Sequence, residues 1–142
     1  MNEGKWSSAT LRVISESRSV RDITQLLNTE PSRSVEKGTR LSWSNPNSAL
    51  SMEFRWLLDS GLPDSEPLNA HIMKLASYVE TNMATLNSLR SDCEIDLWCA
   101  FASGNEQGGF ILDATLLKKL TVIPINLVID LYPPEDKSAT MQ

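Results

Sequence analysis

Residues 68–89 read LNAHIMKLASYVETNMATLNSL, and their spacing organises the rest of the chain. Successive side chains on a helix turn by about 100°. Leu68, Ile72, Leu75, Ala76, Val79, Met83, Leu86 and Leu89 therefore stack along one stripe, while Lys74, Glu80, Asn82 and Asn87 fall off it and stay wet. The pattern predicts a single helix of roughly six turns. Such a helix needs a broad apolar partner, and strand-like runs lie on either side to supply it.

Upstream, Thr10 to Ser15 reads as a short strand. Ser19 is placed to accept from the first-turn amides of a short helix, whose apolar face is Ile23, Leu26 and Leu27. Glu30-Pro31-Ser32 stops that helix, because the residue before proline avoids helical dihedrals. Val35 to Trp43 is expected to be a second strand, with Lys37-Gly38 as a turn or bulge inside it. After turn chemistry at Ser44 to Ser48, Leu50, Met52, Phe54, Trp56 and Leu58 alternate with Ser51, Glu53, Arg55 and Leu57. Period two of this kind marks a half-solvated antiparallel strand.

Downstream, Gly61 to Pro67 is a loop into the long helix, which ends at Ser91-Asp92. Cys93, Ile95, Leu97, Cys99 and Phe101 then alternate with Glu94, Asp96, Trp98 and Ala100 as a fourth strand. Ser103 to Gly109 reads as a hairpin loop, returning through a short strand at Phe110 to Leu112. Asp113 is an N-cap for a third helix over Ala114 to Leu120. In the last strand Ile125, Leu127, Ile129 and Leu131 alternate with Asn126, Val128, Asp130 and Tyr132, and Pro133-Pro134 ends it. The order β-α-β-β-α-β-β-α-β implies an α+β fold, a mainly antiparallel sheet with three helices. Its first six elements match a ferredoxin-like split unit, and a β-α-β segment extends that core. The expectation is one domain over residues 1–142, with an ordered core at about 9–133 and a loose tail at 134–142.

At this point the residues resemble a known family. Ile23-Thr24-Gln25-Leu26-Leu27, Glu30-Pro31-Ser32, Lys37-Gly38 and Trp56-Leu57-Leu58 are similar to segments of a bacterial domain of unknown function, DUF4279. Phe110-Ile111-Leu112-Asp113, Leu116 to Leu120 and Ile129-Asp130-Leu131-Tyr132 resemble its closing segment, so the likeness runs from about Leu11 to Tyr132. It brings no activity and no catalytic residues. What it implies about role is association: small bacterial domains of this kind that have a role often serve as immunity partners of secreted toxins.

Composition narrows the function classes. The chain has 142 residues, 41% of them apolar, and four tryptophans, which argues against disorder. No apolar run approaches the ~20 residues that span a bilayer. The opening Met1-Asn2-Glu3-Gly4-Lys5 lacks the apolar core of a signal peptide, so a cytoplasmic setting is expected. Up to Ser60 eight Lys/Arg face seven Asp/Glu, whereas from Gly61 onward five face eleven. The acidic second part disfavours a phosphate backbone as direct partner and favours a basic protein.

Catalytic kits are missing from the pattern. His71 is the only histidine, and at the start of the long helix it reads as solvated or helix-packing. Neither a Gly-x-Ser-x-Gly elbow nor a phosphate-binding loop is present. Cys93 and Cys99 are ~20 Å apart on an extended strand, too far for a disulfide, and one histidine with two cysteines falls short of a usual zinc site. No cofactor is implied.

The binding reading rests on Glu94, Asp96 and Trp98, which share the non-core face of one strand, and on Asp130 and Tyr132, which repeat the acid-aromatic pairing on another. Asp64 and Glu66 in the acidic loop complete the expected interface. The expected function is a non-enzymatic binding protein, an immunity protein that covers the active site of a basic toxin domain such as a nuclease. The alternative is an enzyme or ligand binder in which Glu94, Asp96 and Asp130 hold a hard cation or act as acid and base. It requires the fourth and last strands to be neighbours.

Overall fold

The computed structural model describes residues 4–42, 44–104 and 108–133. The readings of Trp43, of the middle of the Ser103–Gly109 loop and of the 134–142 tail lie outside those residues. Five strands and four helices follow in the order β1 (Lys5–Ser15), α1 (Val20–Leu27), β2 (Arg33–Val35), β3 (Phe54–Asp59), α2 (Leu68–Thr81), α3 (Met83–Leu89), β4 (Glu94–Ser103), α4 (Ala114–Leu120) and β5 (Asn126–Tyr132). The sheet order is β2-β3-β1-β4-β5. β1 and β2 run the same way with β3 antiparallel between them, and β3 and β4 run the same way with β1 between them. These are two interleaved split β-α-β units. β5 then pairs parallel with β4, from Asp96↔Asn126 to Ala102↔Tyr132.

This corrects the expected mainly antiparallel sheet with three helices in two places. The sheet is mixed, because the chain does not turn back after β4. Both edges of β4 are occupied, by β1 antiparallel and by β5 parallel, so the expected strand at Phe110 to Leu112 has no edge to join and lies outside any ladder. The chain crosses over through α4, as a parallel connection requires. The second correction is the long helix, which is two. Asn82 sits at φ −106° and ψ 22° between α2 and α3. Its side-chain amide donates to the Tyr78 carbonyl at 2.9 Å, a local bond that competes with the helical ladder.

The second strand is also shorter than Val35 to Trp43 suggests, and β3 starts later than Leu50. Residues 36–42 and 44–53 leave the sheet as an excursion joined by the isolated bridge Arg40↔Leu50. Ser51 ties it off, its hydroxyl donating to the Glu53 carbonyl at 2.6 Å. Met52, counted in the alternating run, is therefore 73% exposed.

All four helices lie over one sheet face. Alternation sends Leu11 and Val13 of β1, Trp56 of β3, and Leu97 and Cys99 of β4 into a buried layer against Ile23, Leu68, Ile72, Leu75, Val79, Leu86 and Leu89. The stripe read along residues 68–89 is thus buried in spite of the break. Caps fix the shorter helices: Ser19 accepts from the Asp22 N–H at 3.1 Å, and Asp113 accepts from the Leu116 N–H at 2.8 Å. Asn28 closes α1 in the left-handed conformation, at φ 50°.

Candidate functional site

Among the described residues no helix packs on the other sheet face, which is built from the even positions of β1, β4 and β5 and the odd positions of β3. Register places Thr10 beside Trp98 and Trp98 beside Val128, then Ser8 beside Ala100 and Ala100 beside Asp130, then Trp6 beside Ala102 and Ala102 beside Tyr132. Ala102 is small, so the two aromatics flanking it meet above it, with ring centroids 5.1 Å apart. A second aromatic platform is Trp98. The Arg12 guanidinium lies 4.3 Å from its ring centroid and donates to both Asp96 oxygens at 2.8 Å. Stacking and a two-pronged ion pair together hold the indole in place. The pairing with Asp96, partly offset by burial, raises the pKa of Arg12.

Five of the seven expected interface residues therefore share this face: Glu94, Asp96, Trp98, Asp130 and Tyr132. Glu94 and Tyr132 are exposed, while Asp96, Trp98 and Asp130 are half-buried. The Asp130 carboxylate raises the Tyr132 phenol pKa. At the β3 side of the face, Arg33 donates to Asp59 at 2.8 Å and Thr10 donates to the same carboxylate at 2.7 Å. Burial alone would lift Asp59, but the bonds from Arg33 and Thr10 outweigh it and lower its pKa.

β4 and β5 are neighbours and Glu94, Asp96 and Asp130 share a face, yet the three do not converge. Asp96 lies opposite Asn126. Asp130 is four residues further on, ~13 Å along the strand, and Asp96 is held by Arg12. Among the described residues no group of three or more His, Cys, Asp or Glu is placed to hold a metal ion.

Asp64 and Glu66, the remaining two expected residues, stand apart from that row. Both are exposed and line a groove of about 480 Å³ at the start of α2. Its apolar lining includes Trp6, Leu68, Phe101 and Phe110, and Lys5 and Asp113 also reach it. Phe101 and Phe110 pack with centroids 5.2 Å apart. Asn69 ties the two helix starts together, donating to Asp113 at 3.0 Å and accepting from its N–H at 3.0 Å.

His71 is 1% exposed and is a packing residue. Its Nδ1 lies 2.5 Å from the Ser60 Oγ, which also accepts the Leu62 N–H at 3.2 Å. Nε2 has no partner among the described residues. Burial pushes the His71 pKa down, against the opposing pull of the Glu66 and Pro63 carbonyls and the Asp64 and Glu66 carboxylates. Ser60 is itself only 5% exposed, so this pair closes a turn and offers no accessible nucleophile. Burial likewise drives the Cys99 thiol up to about 12, away from reactivity.

At the sequence level Arg12 has no part in the site, and Trp6, in an N-terminus that reads as loose, is the weakest of the tryptophan candidates. Alternation along β1 places both with Thr10 on the non-core face, but only the β1–β4 register brings Arg12 to Asp96 and Trp98.

Fold and face together define a two-layer α+β domain, its helices on one face of the sheet and, among the described residues, none on the other, aromatic-studded face. The chain belongs to the family described as domain of unknown function (DUF4279), whose model matches residues 4–134. No curated protein and no solved structure matches it.

Proposed function

We propose that this protein is a non-enzymatic binding protein, an immunity protein that covers a basic toxin domain, and that the open sheet face is its contact surface. The observation carrying this reading is Trp98, braced by Arg12 and Asp96 in the middle of a face that no helix of the described residues covers. A large aromatic held in one rotamer loses little entropy on binding, and such residues anchor interfaces. The acids Glu94 and Asp130 flank it, while Arg12, Arg33 and Arg55 are each paired with a carboxylate of this chain. The free charge on the face is thus acidic, and it would speed encounter with a cationic active-site rim. No helix of the described residues is long and apolar enough to cross a membrane.

The test is co-expression with basic toxin domains, nucleases first, including any found encoded beside this gene. The expected result is a stable complex and protection of the host, with Trp98→Ala weakening affinity by about 2 kcal/mol and Glu94→Lys slowing association at low salt. Turnover of a substrate by the purified chain, or a complex indifferent to every change on this face, would overturn the proposal.

A further inference from the structure

The segment Gly108 to Leu112 carries a strand pattern and has no strand partner. Phe110 and Leu112 turn toward the core, and Ile111 between them is 79% exposed. Among the described residues none of the five makes a backbone hydrogen bond. Backbone N–H and C=O groups left without a partner are a template for another strand, and here Gly109, Phe110 and Ile111 of this segment line the groove described above. Lys5 to Ser7 of β1 line the same groove. The volume, about 480 Å³, is within the range that holds a bound side chain or small ligand.

The charge at the groove selects the occupant. Asp64 and Glu66 make no side-chain hydrogen bond or ion pair among the described residues, whereas Asp113 is engaged as the α4 cap. Among the described residues Lys5 is the only basic one lining the groove. Two unpaired carboxylates beside an aromatic pocket complement an apolar side chain with basic neighbours.

We infer that this groove binds an extended segment of the partner protein, with alternating apolar and basic side chains, which adds as a strand to residues 108–112. The apolar side chains enter beside Leu68 and Phe110, the basic ones meet Asp64 and Glu66, and the backbone bonds are those of strand addition. The inference rests on the reading of a basic protein partner and adds where one of its segments docks.

The experiment uses the full chain and two blocked hexapeptides, one alternating valine with arginine and one alternating valine with glutamate, followed by amide shift mapping. The arginine peptide is expected to give saturable shifts at residues 109–112 and 5–7. The glutamate peptide, and an arginine peptide N-methylated at alternate residues, are expected to give none. Glu66→Lys should weaken the arginine peptide about tenfold, and an unchanged spectrum over β1, β3 and β4 certifies that the variant folds. Equal binding of both charged peptides, shifts confined to the open face, self-association through the groove, or no saturable shift at millimolar peptide would each overturn the inference. A toxin complex insensitive to Glu66→Lys overturns it while leaving the proposed function standing. Peptide binding here without any toxin complex does the reverse.

Discussion

Trp56 and Trp98 flank β1 from opposite sides and point to opposite faces of the same sheet. Trp56, on β3, is 0% exposed, and its indole N–H donates to the Thr24 hydroxyl at 3.2 Å. Trp98, on β4, is half-buried and supported by an arginine and a carboxylate instead of a helix. One indole is enclosed by packing and the other is fixed by charge, with part of its surface left to solvent. The first arrangement serves stability, and the second leaves surface for a partner. Replacing each by alanine separates them most sharply. Trp56→Ala is expected to cost about 3–5 kcal/mol in a urea titration, enough to threaten folding of a domain of this size. Trp98→Ala should cost about 1 kcal/mol in the same titration while weakening partner affinity by about 2 kcal/mol. Equal losses of stability would mean that the open face is structural.

The two faces should also differ in how they answer acid. Behind the covered face His71 is buried, and burial holds its pKa below the ordinary value. The unfolded chain takes up that proton near pH 6.5, whereas the folded chain resists until lower pH. Between the two values the unfolded state binds more protons, so stability rises with pH across this window and is lost as pH falls through it. Denaturation midpoints measured from about pH 8 down to about pH 5 should fall in this sense, and His71→Gln should flatten the curve. Asp59, whose pKa is lowered in the fold, adds its own loss in the carboxylate range below. A midpoint that climbed as pH fell from 6.5 would contradict the burial of a neutral imidazole.

On the open face, the brace can be taken apart by pairs. The Arg12 and Asp96 side chains retain 23% and 17% exposure, so solvent screens their attraction in part. A double-mutant cycle with Arg12→Ala and Asp96→Ala should give a coupling of about 1 kcal/mol. In the cycle Trp98 fluorescence should redden as the indole loses its cover. Coupling indistinguishable from zero would leave Trp98 without its support and weaken the anchor argument.

How much of this was legible in the sequence depends on the range of the interaction. Alternation in β4 and β5 assigns Glu94, Asp96, Trp98, Asp130 and Tyr132 to one face, since side-chain direction is local. The capping roles of Ser19 and Asp113 are local too. Pairing is not: nothing in residues 110–112 says that β5 has taken the edge those residues would need. Arg12 could not be matched to Asp96, 84 positions away, without the register between β1 and β4. Trp6 was hidden differently, because Ser7 and Ser8 dilute the apolar alternation at the start of β1 although Ser7 is only 6% exposed.

Asn82 is the smallest effect and the test of that local rule. Its polarity read as an exposed helical position, yet it divides the stripe into two helices. Its own N–H is shared between the Tyr78 carbonyl at 3.0 Å and the Val79 carbonyl at 3.2 Å, so the ladder loosens there without opening. Leu86 and Leu89 stay buried on the far side of the break, which means that packing, more than the hinge, holds α3. Asn82→Ala removes the side-chain bond and gains helix propensity, two terms of opposite sign near half a kcal/mol to about 1 kcal/mol each. Stability should therefore shift by less than about 1 kcal/mol, while amide exchange over residues 82–86 slows as the two helices join. A loss above about 2 kcal/mol would show instead that the Asn82 bond to Tyr78 is what seats α3 on the core.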